Sequence, residues 1–250
     1  MSFIDIEFNK KIATITLNRP KVNALNDQLI DELKVAFQNA ESDQNVNAVI
    51  LTGEGSFFSF GFDVPGFMSY SKDAFQCYVE KYSDMVKEIF MFPKPIIAAL
   101  NGHTVAGGSV LALACDYRIM ISGKAKIALN EMTFGSTLFS CVTETLRYAV
   151  GSKESEQIIY TGKMHSAEEA LALGLVDAIA NEDEFPQVIS EKAQDFAGKD
   201  LAAFRSIKQL LKSETLRNIE LEEGKTISEF VDIWYSESTR ENLKKIEIRG

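Results

Sequence analysis

The residues best suited to chemistry lie between positions 94 and 131. An apolar run at 95–100 leads to the turn Gly107-Gly108, and a lone carboxylate, Glu131, follows downstream. Two glycines between a buried strand and a helix allow close backbone approach and leave amide N–H groups free to hold negative charge. A single acid near such a turn can carry a proton. The pattern predicts a site that stabilises a developing anion and moves one proton.

Each of these residues also has a structural interpretation. Glu131 taken alone could be an exposed acid at the end of a strand, and Gly107-Gly108 could merely permit tight packing of a helix on a strand. Ser109 sits near a G-x-S-x-G elbow, but Leu111 replaces the last glycine, so a Ser-His triad is not expected.

The elements that must position these residues alternate between strands and helices. Alternating apolar and polar residues at 3–8 and 12–17 predict a β-hairpin. Asn26 and Ser71 are placed to cap helices. Apolar runs predict buried strands at 46–51, 95–100 and 117–121. Strands that alternate with helices are typical of an α/β architecture.

The last third of the chain is predicted to be mostly helical, with one strand at 174–179. Apolar residues recur at helical spacing, and the last two helices are expected at 201–211 and 219–234. Their apolar faces suggest an interface. A boundary near residue 195 would separate a core, residues 1–195, from a helical C-terminal region, residues 196–250.

Composition excludes several classes of protein. The net charge of −10 argues against nucleic-acid binding and against attraction to anionic membranes. Three widely spaced cysteines and two histidines make a disulfide framework or a metal site unexpected. The N-terminus lacks the features of a signal or transit peptide, and no apolar run approaches the roughly 20 residues of a membrane span. We therefore expect a cytoplasmic protein.

The two histidines have no role that a motif defines. His103 lies close to the predicted site, and we interpret it as structural, with pocket lining as the alternative. His165 precedes a predicted helix cap at Ser166 and is expected at the surface.

Four collinear segments carry a resemblance that spans nearly the whole chain. Residues 19–25 (RPKVNAL) are similar to an "RPxxxNAL" turn, and residues 57–64 (FFSFGFDV) to an "FSAGxDL" loop. Residues 95–116 are similar to "PxIAAxNGxxxGGGxxLALxCD", and residues 161–176 to "TG…xAxEAxxxGLV". Together these motifs resemble the crotonase superfamily, the enoyl-CoA hydratase and isomerase fold.

This resemblance implies a spiral of ββα turns, followed by a helical region that builds trimers or dimers of trimers. It also implies an acyl-CoA thioester substrate, whose coenzyme A is part of the substrate, so that no separate cofactor is expected. By position, the amide N–H groups of Phe62 and Gly107 would hold the thioester oxygen as it becomes an enolate.

The resemblance also implies contacts for the rest of the substrate. Backbone near six residues would face the pantetheine and adenine: Lys21, Val22, Ala24, Ser59, Gly61 and Asp63. Trp234 would reach the nucleotide bound by a neighbouring subunit. The acyl pocket would be lined by Phe67, Phe134, Thr137, Leu138 and Phe139, whose aromatic rings suggest a medium or long apolar chain.

One departure from the family pattern bears on the reaction. Hydratases of the family use two glutamates to orient and activate water, and the first of these positions is Val110 here, whereas the second is Glu131. An apolar residue followed by one glutamate resembles the Δ3,Δ2-enoyl-CoA isomerase branch, of the fatty acid β-oxidation type. Glu131 would then be the single acid and base.

Other functions remain open from the sequence. The first is hydration with another acid that positions the water, and Glu144 is the nearby candidate. The second is another reaction that needs a single acid, such as hydrolysis or decarboxylation. The third is acyl-CoA binding without catalysis.

Overall fold

Two sheets form the frame of the molecule, and the computed structural model describes residues 2–246. The strands are β1 (Ile4–Asn9), β2 (Ile12–Leu17), β3 (Ala48–Gly53), β4 (Phe57–Ser59), β5 (Ile96–Leu100), β6 (His103–Val105), β7 (Tyr117–Ile121), β8 (Ile127–Ala128) and β9 (Ala178–Ala180). A six-stranded sheet has the order β1-β2-β3-β5-β7-β9, and a three-stranded sheet has the order β4-β6-β8.

Helices connect successive turns of this frame. They are α1 (Asp27–Ser42), α2 (Val64–Phe67), α3 (Lys72–Phe90), α4 (Gly107–Ala114), a 3₁₀ helix (Glu131–Phe134), α5 (Ser140–Val150), α6 (Ser152–Thr161), α7 (Ala167–Leu173), α8 (Phe185–Ala197), α9 (Leu201–Trp234) and α10 (Glu237–Leu243).

The chain passes from the large sheet to the small one in each turn of a spiral. β3, β5 and β7 lie in the large sheet, and the strand after each of them, β4, β6 or β8, lies in the small one. All pairs except the hairpin β1-β2 are parallel, as repeated crossovers in one direction require. The predicted ββα spiral is confirmed.

Local signals in the sequence position several of these elements. The predicted hairpin pairs Ile4 with Leu17 and Asn9 with Ile12. The side chain of Asn26 accepts a hydrogen bond from the Leu29 N–H and caps α1, and Ser71 caps α3 in the same way. The predicted strands at 46–51 and 95–100 are confirmed with bounds shifted by one or two residues.

The C-terminal part differs from the prediction in two respects. The helices predicted at 201–211 and 219–234 are one continuous helix, α9, and the strand predicted at 174–179 is the shorter β9. The predicted boundary near residue 195 lies in the last turn of α8, and α9 buries Ile219, Ile227 and Phe230 in the same core as β2 and β3. The division of the chain at this boundary stays a prediction. Residues 247–250 of the predicted C-terminal region lie outside the described part of the chain.

The predicted interface face of α9 divides into two halves. Ile207, Leu210 and Leu211 are exposed, whereas Ile227, Phe230, Val231 and Trp234 are buried within the chain itself. Assembly into trimers stays a prediction. No helix among residues 2–246 is long and apolar enough to cross a membrane.

Candidate active site

An apolar cavity of about 240 Å³ lies at the junction of the spiral and the C-terminal helices. Three predicted site residues, Glu131, Phe62 and Gly107, line it together. Its other walls are Phe60, Val64, Tyr82, Val105, Ala106, Val110, Asn130, Thr133, Phe134, Leu138, Phe139, Val142, Phe230, Trp234 and Ile246. Residues more than 180 positions apart in sequence therefore meet around one space.

Glu131 is held at the first position of a 3₁₀ helix that follows β8. Gly135 ends this helix in the left-handed conformation, with φ of 79°, and the Ser136 N–H donates to the Glu131 carbonyl over 3.0 Å. The side chain is only 9% exposed, and its Oε2 has no hydrogen-bond partner within residues 2–246. A buried carboxyl oxygen without a protein partner is available to a substrate or to water.

Burial changes the acidity of this carboxyl. Removal from water raises the pKa of Glu131 to about 7, and a hydrogen bond from its own backbone N–H opposes part of that rise. An acid with a pKa near neutrality both accepts and returns a proton at neutral pH. Glu131 is the only carboxylic acid among the described residues that line the cavity.

The amide N–H groups of Phe62 and Gly107 have no hydrogen-bond acceptor in the part of the chain that the structure describes. Gly107 begins α4, and the first N–H groups of a helix have no partner within it. Leu25 pairs with the residues on both sides of Phe62, since Leu25 N–H donates to Gly61 O and Asp63 N–H donates to Leu25 O. Between these two bonds, the Phe62 N–H has no acceptor among residues 2–246.

Close packing brings the two amide-bearing loops together. A Cβ on Gly61 would lie 3.0 Å from the Gly107 nitrogen, and a Cβ on Gly108 would lie 2.5 Å from the Ser59 carbonyl oxygen. Ser109 donates its hydroxyl to Thr104 O and Ala128 O, at 2.9 and 2.8 Å, and so ties α4 to β6 and β8. Both loops and the strand that leads to Glu131 thus form one packed unit, and the Ser109 hydroxyl is not placed as a nucleophile.

The turn before Gly107 contains a strained residue. Ala106 has φ of 49° and ψ of −121°, a conformation that favours glycine. Its N–H donates to Ala128 O over 2.8 Å. Strain of this kind costs about 1–3 kcal/mol and persists where surrounding contacts fix the backbone.

Ala106→Gly should stabilise the protein by about 1 kcal/mol. Glycine adopts this conformation without strain, and the relief exceeds the roughly 0.5–1 kcal/mol of extra chain entropy that glycine loses on folding. Urea unfolding measures the change, and the turnover number should stay within about threefold, because the Gly107 amide keeps its place. A loss of stability would mean that Ala106 is not strained.

The residues predicted to contact coenzyme A lie beside this unit. Val22, Ala24, Ser59 and Gly61 are buried, so they can offer backbone groups only, whereas Lys21 is exposed, with φ of 78°. The Asp63 carboxylate accepts from Arg19 Nη2 over 2.6 Å and from the Gly66 N–H at the start of α2. Their contacts with coenzyme A stay predictions.

The acyl pocket was predicted only in part. Phe134, Leu138 and Phe139 line the cavity, whereas Phe67 is buried behind Phe62 and Thr137 lines a different cavity. Trp234 is 2% exposed and forms part of the cavity wall, so the prediction that it reaches a neighbouring subunit's nucleotide is wrong.

Both histidines lie outside this cavity. The prediction that His165 lies at the surface is wrong, since the residue is 3% exposed and its backbone pairs with Ile127 beside β8. The His103 ring packs on Phe57 at 5.1 Å. Among residues 2–246 no group of three or more His, Cys, Asp and Glu side chains could hold a metal ion.

Sequence reasoning missed the walls supplied by helices. Tyr82 of α3 and Phe230 of α9 both line the cavity, and neither is among the predicted pocket residues. The sequence spacing could have indicated that each wall is a shared helix face. Tyr78 and Tyr82 are one turn apart on one helix, and so are Phe230 and Trp234.

A second, more polar cavity of about 540 Å³ shares Glu131 and Leu138 with the first. Its walls include Ser136, Thr137, Thr143, Arg147, Ser152, Ser155, Glu156 and Tyr160. The Glu131 residue therefore borders an apolar space on one side and a polar one on the other.

Comparison with known proteins identifies the family. The family described as enoyl-CoA hydratase/isomerase matches residues 7–245. The chain belongs to this family. It is 32% identical to a probable enoyl-CoA hydratase of Bacillus subtilis, over 98% of this chain and 95% of that protein. It is also 32% identical to a short-chain-enoyl-CoA hydratase of Clostridium acetobutylicum, over 82% of this chain and 79% of that protein.

A solved structure of another member of the enoyl-CoA hydratase/isomerase family has the same fold. The crystal structure of human mitochondrial delta3-delta2-enoyl-CoA isomerase superposes with a TM-score of 0.91 at 25% identity, and the match covers 97% of this chain and 96% of that one. The crotonase resemblance is confirmed. The chain is an enzyme of the hydratase/isomerase type, a family that acts on acyl-CoA thioesters.

Proposed function

We propose that this enzyme moves the double bond of a 3-enoyl-CoA to the 2-position, with Glu131 as the only acid and base. The observation that carries the proposal is that Glu131 is the one carboxyl among the described residues that line the apolar cavity. By resemblance, Val110 stands at the position where a hydratase of the family has its first glutamate. Val110 is 1% exposed, and its side chain can neither hold a water nor move a proton.

The reaction needs one proton carrier and one anion site. The Glu131 carboxylate takes a proton from C2 of the substrate, and the electron pair of the broken C–H bond spreads into a dienolate. The Phe62 and Gly107 N–H groups donate to the thioester oxygen as its negative charge grows, an interaction worth roughly 3 kcal/mol for each donor. The Glu131 acid then protonates C4, which restores the carboxylate and leaves the 2-enoyl product.

The apolar walls of the cavity support this mechanism in two ways. They exclude water from the face of the substrate that carries the dienolate, which favours return of the proton over addition of water. They also keep the carboxyl in surroundings that hold its pKa near 7.

The rate of isomerisation should rise with pH through about 7. The free enzyme must carry an ionised Glu131, and burial moves its pKa from 4.5 up to about 7. At pH 6 about one tenth of the enzyme should be ionised, so kcat/KM should fall about tenfold there from its value at pH 8.5. Initial rates between pH 5 and 9 measure this profile. A kcat/KM that stays flat down to pH 5 would contradict the assignment.

Parallel assays with a 3-enoyl-CoA series and a 2-enoyl-CoA series test the function. We expect isomerisation to exceed hydration by about 10²-fold in the wild type, because only one acid is available. Val110→Glu supplies the missing carboxylate and should move the ratio toward hydration. Hydration in the wild type at a rate equal to isomerisation would overturn the proposal.

Hydration is the second candidate function. The two curated relatives described above are named hydratases, and the polar cavity beside Glu131 offers room for water and a second acid, Glu156. Glu144, the acid considered from the sequence, pairs with Arg147 over 2.7 Å and lies outside both cavities' walls. A Glu156→Gln variant that loses hydration alone would favour this candidate.

A further inference from the structure

We propose that Tyr78 and Tyr82, one helical turn apart on α3, are positioning residues that aim the two anion-binding amides. The inference rests on the proposed role of the Phe62 and Gly107 N–H groups. It does not depend on whether the enzyme isomerises or hydrates, since either reaction places negative charge on the thioester oxygen.

Tyr82 holds Gly107, the residue that carries one of the two anion-binding amides. Its hydroxyl donates to the Gly107 carbonyl over 2.7 Å, and its side chain is fully buried. The Gly107 N–H and carbonyl flank the same Cα, so a bond to the carbonyl limits rotation of the residue that carries the amide. The strained Ala106 comes directly before it, and a strained turn needs such external contacts to keep its conformation.

Tyr78 acts on Phe62, the residue that carries the other anion-binding amide. Its hydroxyl donates over 3.1 Å to the carbonyl of Leu25, which also accepts from the Asp63 N–H over 2.9 Å. Leu25 is the residue whose pairing with Gly61 and Asp63 holds the Phe62 loop. Tyr78 therefore acts on this amide through one intermediate residue, and we expect a smaller effect than at Tyr82.

The Phe62 ring lies between the two tyrosines. Its centroid is 5.1 Å from that of Tyr78 and 4.9 Å from that of Tyr82, in edge-on geometry with both. A single helix thus contacts the Phe62 ring on two sides, bonds to Gly107 directly through the Tyr82 hydroxyl, and acts on the Phe62 loop through the bond from Tyr78 to Leu25. Edge-on aromatic pairs contribute about 0.5–1.5 kcal/mol each beyond the area they bury.

Packing alone would not require these hydroxyl groups. Phenylalanine fills nearly the same volume, and a buried hydroxyl without a partner lowers stability. The Tyr82 hydroxyl is instead bonded to the Gly107 carbonyl itself, and the Tyr78 hydroxyl to the carbonyl of Leu25, whose backbone pairs with the Phe62 loop. Neither is suited to carry protons near neutral pH, because burial raises the pKa of Tyr78 and of Tyr82 well above the ordinary value of 10.0.

Tyr82→Phe and Tyr78→Phe test the proposal, with Tyr235→Phe as the matched control. Tyr235 also donates its hydroxyl to a backbone carbonyl, that of Tyr70, over 2.7 Å, and it does not line the cavity. Each variant keeps its ring and loses one hydrogen bond. Three quantities are measured: kcat and KM, the melting temperature, and the enolate absorbance of bound acetoacetyl-CoA, whose enolate resembles the charged intermediate.

We expect kcat to fall about tenfold in Tyr82→Phe and by about threefold in Tyr78→Phe, with KM within twofold of the wild type. The enolate fraction of bound acetoacetyl-CoA should fall in the same order. Tyr235→Phe should leave both readouts unchanged at a comparable change in melting temperature.

Unchanged kcat and enolate absorbance in both active-site variants, with only the melting temperature lowered, would overturn the proposal. Absence of any enolate signal in the wild type would overturn it too, because the anion site would then not exist. Hydration without isomerisation, accompanied by a normal enolate signal that falls in Tyr82→Phe, would overturn the proposed function and support the positioning role.

Discussion

Glu131→Gln should abolish turnover and make the protein more stable at high pH. Glutamine has nearly the same shape but cannot accept the C2 proton, so kcat should fall by about 10³-fold or more. Binding of a saturated acyl-CoA should be unchanged, because the cavity walls and the Phe62 and Gly107 amides remain.

The stability change follows from the raised pKa. In the folded protein the pKa of Glu131 is about 7, above the ordinary value of 4.5 for a glutamic acid in water, so the folded state favours the protonated acid. The contribution of the protonated Glu131 to the free energy of unfolding is fully present below pH 4.5. It decreases by up to about 3 kcal/mol as the pH rises through about 7. Glu131→Gln removes this loss. The variant should match the wild type near pH 4.5 and exceed it at pH 8.5.

Urea unfolding at the two pH values measures the effect, and Glu144→Gln is the control. Glu144 is a partly exposed glutamate paired with Arg147 and lies outside the walls of both cavities, so Glu144→Gln should leave turnover unchanged and lower stability by less than about 1 kcal/mol. Retention of full turnover in Glu131→Gln would remove Glu131 from the mechanism. Equal stability of the variant and the wild type at pH 8.5 would mean that the carboxyl is not held at a raised pKa.

Gly108→Ala should damage both the fold and the anion site. The added Cβ would lie 2.5 Å from Ser59 O and 2.8 Å from Ser59 Cβ. Ser59 cannot yield easily, because its hydroxyl donates to Asn23 O and accepts from the Gly61 N–H. The overlap therefore pushes α4 away from the Phe62 loop. We expect about 3 kcal/mol of destabilisation and a loss of about 10²-fold in kcat as the two amides separate.

Gly224→Ala makes the same chemical change where there is space. A Cβ on Gly224, in the middle of α9, meets no atom within 4 Å. Alanine is the better helix former, so this variant should gain about 1 kcal/mol with normal turnover. The test is to measure thermal unfolding and kcat for Gly108→Ala and Gly224→Ala side by side. Normal stability and turnover in Gly108→Ala would mean that the loops are not as closely packed as their geometry indicates.

The local features of the fold could be predicted because they depend on neighbouring residues. Caps such as Asn26 and Ser71 sit within three residues of the groups they bond, and the hairpin follows from alternation alone. The resemblance also supplied Glu131, Phe62 and Gly107, which the fold brings to one cavity.

The length of α9 could not be predicted because a mostly polar stretch, residues 212–218, interrupts its apolar pattern, and because two of its buried positions are lysines. Lys208 and Lys212 are each 5% exposed and both pair with Asp116, at 2.8 and 2.9 Å. In a sequence pattern such lysines indicate a solvent face, although here they point inward at a carboxylate 92 and 96 positions away.

The cavity wall that α9 supplies could not be predicted for a related reason. Phe230 and Trp234 come from a helix about 100 residues beyond Glu131, and their side chains could equally have formed an interface. Which side of an apolar helix faces its own chain depends on tertiary packing, which periodicity does not contain.

The most direct test of a single proton carrier is to follow one 3-enoyl-CoA with the wild-type enzyme in D₂O by ¹H NMR. We expect the signals of the 3-enoyl double bond to be replaced by those of a 2-enoyl thioester, with no 3-hydroxyacyl-CoA formed on the same time scale. Accumulation of 3-hydroxyacyl-CoA as fast as the double bond shifts would contradict it, because a second group would then have to activate water.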